Sequence, residues 1–363
     1  MKVCILSIMN IRHMSLISLY TNFLESHDID YDIIYIDKYQ EDEKINAKNV
    51  YKYSLYVQRN WGFIRKLYAY WGFRNFAKSK LREHDYDHIV VWRSETALMF
   101  LDFLLKNKKK KYNINVRDYC KEKNLFVYYA MAKLIKNSLF TTISSEGFKR
   151  FLPPYKYVLV HSYNNNVLKE IRPNYTKVKE NEPIKICFIG YVRFYEEDKK
   201  LIDTLGNDNR FILQFFGSGS DELKNYAYEK GIKNVITKKA FKVEETPHLL
   251  QKADVINNLY GNGNIALDTA ISIKYYYTLK MQIPILVNEN TYISHIAQKT
   301  DVGFIVKNNH ENLADDFYNW YHNRDLERFK NRCQRELEKV EEKNKEFNEF
   351  LETIFIKGKY NED

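Results

Sequence analysis

The 363-residue sequence predicts an α/β protein built as two successive doubly wound domains followed by a charged helical tail. Three observations carry this. Short apolar runs alternate with longer amphipathic stretches along most of the chain. The polar segment 163–183 (YNNNVLKEIRPNYTKVKENEP) breaks the alternation once, near the middle. The charge divides at the same place. Residues 1–180 carry 31 basic and 18 acidic side chains, out of 57 Lys and Arg and 47 Asp and Glu in the whole chain, so the second half is slightly acidic.

The elements follow in order. KVCILSIM at 2–9 is a buried strand, followed by a helical pattern to Leu24. IIYI at 33–36 is a second strand, and 54–83 reads as one long helix rich in aromatics and cations. HIVVW at 88–92 and YNINVR at 112–117 are strands flanking a helix over 96–105. After a helix at 125–137, LFTTI at 139–143 and YVLV at 157–160 are short strands around a helix at 145–152. The second series has strands at 184–189, 211–216, 234–236, 254–256, 284–287 and 303–306, and 313–355 is mostly helical. This gives an N-terminal domain at 1–165, a linker at 166–183, a C-terminal domain at 184–320 and a charged helix at 321–363 packing back across the lobes. In such sheets ligands lie beyond the carboxyl ends of the strands, here in the cleft between the two lobes.

Composition excludes several classes. Only 12 Gly and 6 Pro rule out collagen-like or linker-rich chains, and 45% hydrophobic residues supply a core. Cys4, Cys120, Cys187 and Cys333 are isolated, so neither a zinc site nor a disulfide framework is indicated, and no metal is expected. The opening MKVCILSIMNIRH has too short an apolar stretch for a signal peptide, and no run of about 18 apolar residues spans a bilayer. A cytoplasmic protein, peripheral on the inner face of the membrane, is the expectation. Nucleic acid is not expected, because no RNA- or DNA-binding motif accompanies the basic charge.

The strongest segment is 184–222. A buried strand runs into Gly190, then Arg193, then Lys199 and Lys200, and the next strand ends in Gly217-Ser218-Gly219-Ser220. Glycine lets a backbone approach a phosphate closely, and cations neutralise it. Plain turn chemistry with solvated lysines is the alternative for each turn alone. Two such turns at consecutive strand ends favour nucleotide binding.

In this order the features FIGYVRFYEEDKK, FFGSGSDELK, NVITKKAFKVEETPHLLQKADVIN and IKYYYTLKMQIPILV resemble the donor domain of GT-B glycosyltransferases, in the large family related to sucrose synthase. YDHIVVWRSETALMFLDFLL, NINVRDYCKE and TTISSEGFKRFLPPYKYVLVHSYN look like the acceptor half of bacterial capsular and cell-surface polysaccharide enzymes. The resemblance covers residues 1 to about 320. It implies two Rossmann-like domains facing across a cleft, and metal-independent hexosyl or pentosyl transfer from a nucleotide sugar, with UDP as the default. It implies that Gly190 lies beneath the donor, that Arg193 and Lys199 (or Lys200) contact the diphosphate, and that no separate cofactor is used. Lys274, Tyr276 and Pro284 match the family's motif, but its Glu-x7-Glu pair falls on about Thr269 and on Tyr277. Tyr277 would then meet the ribose in place of a carboxylate, or belong with Tyr275 to a packing stripe.

The loop Tyr260-Gly261-Asn262-Gly263-Asn264 suggests a backbone needing positive φ near the sugar, with Asn262 as a donor contact. In the first half, Asp118, His13 and Glu95 each follow a strand and are candidates for a base or hydroxyl-orienting role. For Asp118 and Glu95 the alternative is a helix cap. Residues 59–82 interleave aromatics with cations, and 106–111 add five lysines. Trp61, Arg65, Trp71, Arg74 and Lys109 are read as a surface for anionic lipid or a lipid-diphosphate acceptor. An amphipathic core helix with a solvated face is the alternative.

The expected function is transfer of a sugar from a nucleotide sugar to a lipid-linked surface glycan. A catalytically degenerate GT-B partner subunit, or a nucleotide-sugar epimerase on the same fold, are the alternatives.

Overall fold

The computed structural model describes all residues except 15, 41, 57–60, 164, 175–177 and 359–363, and leaves out the side chains at 63, 66, 67, 165 and 166. Two compact units emerge: Met1–His161 together with the chain from Lys343 onward, and Ser162–Glu342.

The first unit runs β1 (Val3–Ser7), α1 (Ser18–Ser26), β2 (Tyr31–Asp37), β3 (Asn49–Ser54), α2 (Phe63–His84), β4 (His88–Trp92), α3 (Ser94–Met99), α4 (Leu101–Asn107), β5 (Tyr112–Val116), α5 (Leu125–Asn137), β6 (Phe140–Ile143) and β7 (Val158–Leu159). The strands are all parallel, in the order β3-β2-β1-β4-β5-β6-β7. β1, β2, β4 and β5 are buried from end to end, as expected of strands covered on both faces. β3 departs from the expectation: NVYKYS is a largely exposed edge strand, and its polar alternation concealed it.

The second unit runs α6 (Asn165–Glu170), β8 (Ile184–Ile189), α7 (Tyr195–Leu205), β9 (Phe211–Phe216), α8 (Ser220–Glu229), β10 (Val235–Lys238), α9 (Thr246–Leu250), β11 (Val255–Asn258), α10 (Ile265–Thr269), α11 (Ile273–Met281), β12 (Ile285–Asn288), α12 (Tyr292–Thr300), β13 (Gly303–Val306) and α13 (Leu313–Asn323). Its parallel sheet has the order β10-β9-β8-β11-β12-β13. The chain winds outward from β8 and returns to β11 beside it, so a topological switch point lies at the carboxyl ends of those two strands. The segment expected as a linker is partly core: Val167, Leu168 and Ile171 are buried with Tyr276 and Leu279.

The last helix, α14 (Leu326–Phe355), serves both units. Phe329, Cys333, Leu337 and Val340 join the second unit's core. Phe347, Leu351, Ile354 and Phe355 join the first unit's core with Tyr20, Phe23 and Phe140. Among the described residues no helix is long and apolar enough to cross a membrane.

Candidate active site

The switch point of the second sheet gathers most of the expected donor residues. β8 ends in Gly190, whose φ of +121° requires glycine, and a Cβ placed there would meet no atom within 4 Å. The loop is laced to the one after β9: Gly190 N donates to Phe216 O at 2.9 Å and Val192 N to Ser218 O at 2.9 Å. A Cβ on Gly217 (φ +143°) would stand 1.8 Å from the Gly190 carbonyl oxygen, so only glycine permits this approach. Gly217 and Ser218 therefore brace the floor on which Gly190 is presented.

Arg193 is exposed, with its guanidinium 5.0 Å from the Phe194 ring. Phe194 packs on Tyr260, centroids 4.6 Å apart. Tyr260 leads the loop after β11, where Gly261 and Gly263 take φ values of +81° and +83°, in line with the positive φ expected. Behind Tyr260 lies Lys274, in the first turn of α11 and only 3% exposed. Its Nζ donates to the Tyr260 hydroxyl at 2.5 Å and stands 4.2 Å from the Phe188 ring centroid. Burial works against ionisation of Tyr260, but Lys274, the Ser272 hydroxyl and Arg193 outweigh it and hold the phenol below its usual pKa.

Deeper still is Asp198, on α7 and fully buried. Its Oδ1 accepts from Asn257 Nδ2 at 3.3 Å, and its Oδ2 has no hydrogen-bond partner. Burial raises its pKa to about 7, against the opposing pull of Asn257 and Lys274. The sequence reading did not single out Asp198 or Asn257. A carboxylate in a run of charged residues looks solvated, and only the helix phase turns it inward.

Other candidates are placed differently. Lys199 turns toward Glu196 on its own helix, at 3.4 Å, and toward the Tyr226 ring on α8, at 5.4 Å. Asn262 ties the loop down, donating to Glu289 O at 3.0 Å and Asn308 Oδ1 at 2.9 Å. Tyr277 is buried in the core together with Tyr275 and Tyr276, and burial pushes its phenol up to about 12. Its neighbours are those of the packing stripe.

In the first unit, Glu95 and Asp118 meet around one arginine. Arg93, at the end of β4, has φ +75°, an unusual value for a residue with a side chain. Its guanidinium grips Glu95 through two hydrogen bonds of 2.9 and 3.2 Å and stands 3.7 Å from Asp118 Oδ2. Asp118 Oδ1 accepts from the Tyr119 amide at 2.8 Å, and the side chain is 48% exposed. Of the two carboxylates, Asp118 is the more exposed, against 31% for Glu95. Nearby Glu122 is buried, and burial raises its pKa. His13 is exposed, with Nε2 3.2 Å from the Tyr39 hydroxyl.

The basic aromatic stretch divides. Phe73, Ala77 and Leu81 are core, whereas Ile64, Tyr68 and Trp71 are exposed on α2. Arg65 lies 3.9 Å from the Trp61 ring, and Arg74 lies 4.7 Å from the Trp71 ring while also pairing with Asp102 at 2.6 Å. Arg59 and the side chains of Phe63, Lys66 and Leu67 lie outside the described residues. Lys109 belongs to a different region. Its neighbour Lys108 is buried and bonds Asp85 and the Tyr86 carbonyl, just past the far end of α2. Helix α2 has 22 residues, about 33 Å at 1.5 Å per residue, so Lys109 does not share a patch with Trp61 and Arg65.

The chain resembles solved structures along nearly its whole length. A sucrose-phosphate synthase from Thermosynechococcus elongatus superposes with a TM-score of 0.71 at 10% identity, covering 98% of this chain and 99% of that one. The fold is GT-B. Anabaena Alr3699/HepE, solved in complex with UDP, matches with a TM-score of 0.68 at 10% identity over 97% of this chain and all of that one. WaaG, a glycosyltransferase of lipopolysaccharide biosynthesis, matches this GT-B chain with a TM-score of 0.64 at 12% identity over 96% and 98% of the two chains. No protein-family model matches. Among curated proteins, Protein PFC0760c of Plasmodium falciparum (isolate 3D7) is 23% identical over 267 residues, 74% of this chain. The GT-B chain spans only 6% of that protein's length.

Proposed function

We propose that this protein is a glycosyltransferase that moves a sugar from a nucleotide-sugar donor to a lipid-linked cell-surface glycan. The observation that carries the reading is the pairing of an open, glycine-only position at Gly190 with the exposed guanidinium of Arg193, at the switch point of a GT-B donor sheet. A nucleoside diphosphate leaves with developing negative charge, and the exposed Arg193 is the group assigned to meet it in this reading. The UDP bound by HepE supports a uridine nucleotide as the first donor to test. In the first unit, Asp118 is the preferred group to orient or deprotonate an acceptor hydroxyl.

The lipid-linked acceptor rests on α2. Ile64, Tyr68 and Trp71 are exposed apolar side chains beside Arg65 and Arg74, a pattern suited to an anionic lipid surface. Incubation with a panel of nucleotide sugars, read as release of nucleoside diphosphate with and without lipid-linked acceptor, tests the reading. Release from at least one donor, stimulated by acceptor, is the expected result. Release of none, with no thermal stabilisation by any nucleoside diphosphate, overturns it in favour of a partner subunit. Conversion of the sugar without acceptor overturns it in favour of an epimerase.

A further inference from the structure

The Tyr260 hydroxyl is surrounded in a way that fixes what it can still do. A phenol oxygen offers one proton and two acceptor sites. Lys274 Nζ donates to it at 2.5 Å, and an ammonium has no acceptor to offer in return. One acceptor site is then in use, and the phenol's own O–H proton is not spent on Lys274. A cation hydrogen-bonded to the oxygen polarises that proton and strengthens it as a donor. Lys274 itself is 3% exposed and lies behind Tyr260, whereas Tyr260 is partly exposed. Phe194 packs against the Tyr260 ring and carries Arg193 on its other contact, so the guanidinium and the phenol share one small region at the ends of β8 and β11.

We propose that Tyr260 is the second hydrogen-bond donor to the anionic diphosphate, beside Arg193, and that Lys274 is a positioning residue acting through it. This inference rests on the nucleotide-sugar reading above and assigns the phosphate contact within it. It places the second contact on the β11 loop. The resemblance pointed instead to Lys199, which faces Glu196 and Tyr226. A neutral donor backed by a buried cation gives the charge a directed hydrogen bond without an additional exposed lysine.

The test is calorimetric binding of inorganic pyrophosphate, UDP and uridine to the full chain and to Tyr260→Phe, Lys274→Met, the double variant and Lys199→Met. Tyr260→Phe keeps the ring on Phe194 and removes only the hydroxyl. Loss of a hydrogen bond to a charged group is expected to weaken pyrophosphate and UDP by about tenfold or more while leaving uridine within twofold. Lys274→Met should weaken the same two ligands, and adding it to Tyr260→Phe should cost nothing further, because it acts through the absent hydroxyl. Lys199→Met should stay within twofold of the unaltered chain.

Unchanged pyrophosphate and UDP binding by Tyr260→Phe overturns the assignment, as does a loss in Lys199→Met equal to that expected of Tyr260→Phe. If Lys274→Met does not fold, Tyr260→Phe alone decides. Pyrophosphate binding that depends on Tyr260, without binding of any nucleoside diphosphate, leaves the anion contact standing and removes the glycosyltransferase reading. Binding of neither anion by the unaltered chain overturns both.

Discussion

Asn344 pairs with the main chain of His161 through both ends of its carboxamide. Its Oδ1 accepts from His161 N at 2.9 Å and its Nδ2 donates to His161 O at 3.2 Å. The two residues are 183 apart in sequence, and each stands where the chain passes from one unit to the other. Two backbone groups that a strand or helix would normally satisfy are satisfied here by a single side chain. Asn344→Ala strips both at once, and a loss of about 1–3 kcal/mol is expected. The midpoint of urea unfolding, followed by circular dichroism, reads it; an unchanged midpoint would show that the pair contributes nothing.

Arg193→Ala should behave in the opposite way. The side chain is exposed, so the melting temperature should hold. Turnover of the nucleotide sugar should fall about 100-fold, the usual cost of removing one preorganised donor from a developing negative charge. Loss of folding in parallel with activity would point to a structural role.

Gly217→Ala probes the floor of the same site. The added methyl would stand 1.8 Å from the Gly190 carbonyl oxygen at a φ of +143°. Both the clash and the backbone geometry oppose it, and about 2–4 kcal/mol of destabilisation is expected. Gly62→Ala, where a Cβ meets nothing within 4 Å, is the control.

Asp198 makes stability depend on pH. Burial raises its pKa to about 7 in the folded protein, well above the ordinary carboxyl value. Its stabilising contribution is therefore complete at acid pH, below the unfolded value, and declines as pH rises toward and through about 7. Asp198→Asn should remove that decline. The gap between variant and parent in urea midpoint should widen in the variant's favour from pH 5 to pH 8. A gap that does not change with pH would show the carboxylate to be ionised throughout.

The exposed face of α2 predicts vesicle binding. Tyr68→Glu with Trp71→Glu should reduce sedimentation with anionic vesicles several-fold without lowering the melting temperature, since both side chains are more than half exposed. Raising the salt should weaken binding by the unaltered chain. Equal binding to neutral vesicles, insensitive to salt, would discard the electrostatic part.

Much of the fold could be read in advance for a simple reason. A parallel strand covered on both faces reads as a near-continuous apolar run, so HIVVW, IKICFI and FILQFF announce themselves. NVYKYS hides because an edge strand has no such constraint. At the site, Gly190 and Arg193 are legible from local order. The environments of Lys199 and Lys274 are not, because which lysine reaches the Tyr260 hydroxyl and which turns to Glu196 and Tyr226 depends on helix phase and on pairing distant in sequence. Lys108 makes the same point: within a run of lysines it is the buried one, held by Asp85 and the Tyr86 carbonyl.

The division of α14 between two cores bears on the order in which the protein forms. On the ribosome, the seven strands of the first sheet emerge early, yet Phe347, Leu351 and Phe355, which complete their hydrophobic core, are made only after the whole of the second unit. The second unit, though synthesised later, has its whole core in hand before that point. Synthesis and completion thus run in opposite directions, and the nascent first unit must wait with Tyr20, Phe23 and Phe140 uncovered by those residues, a stage at which chaperone binding or aggregation would compete with folding.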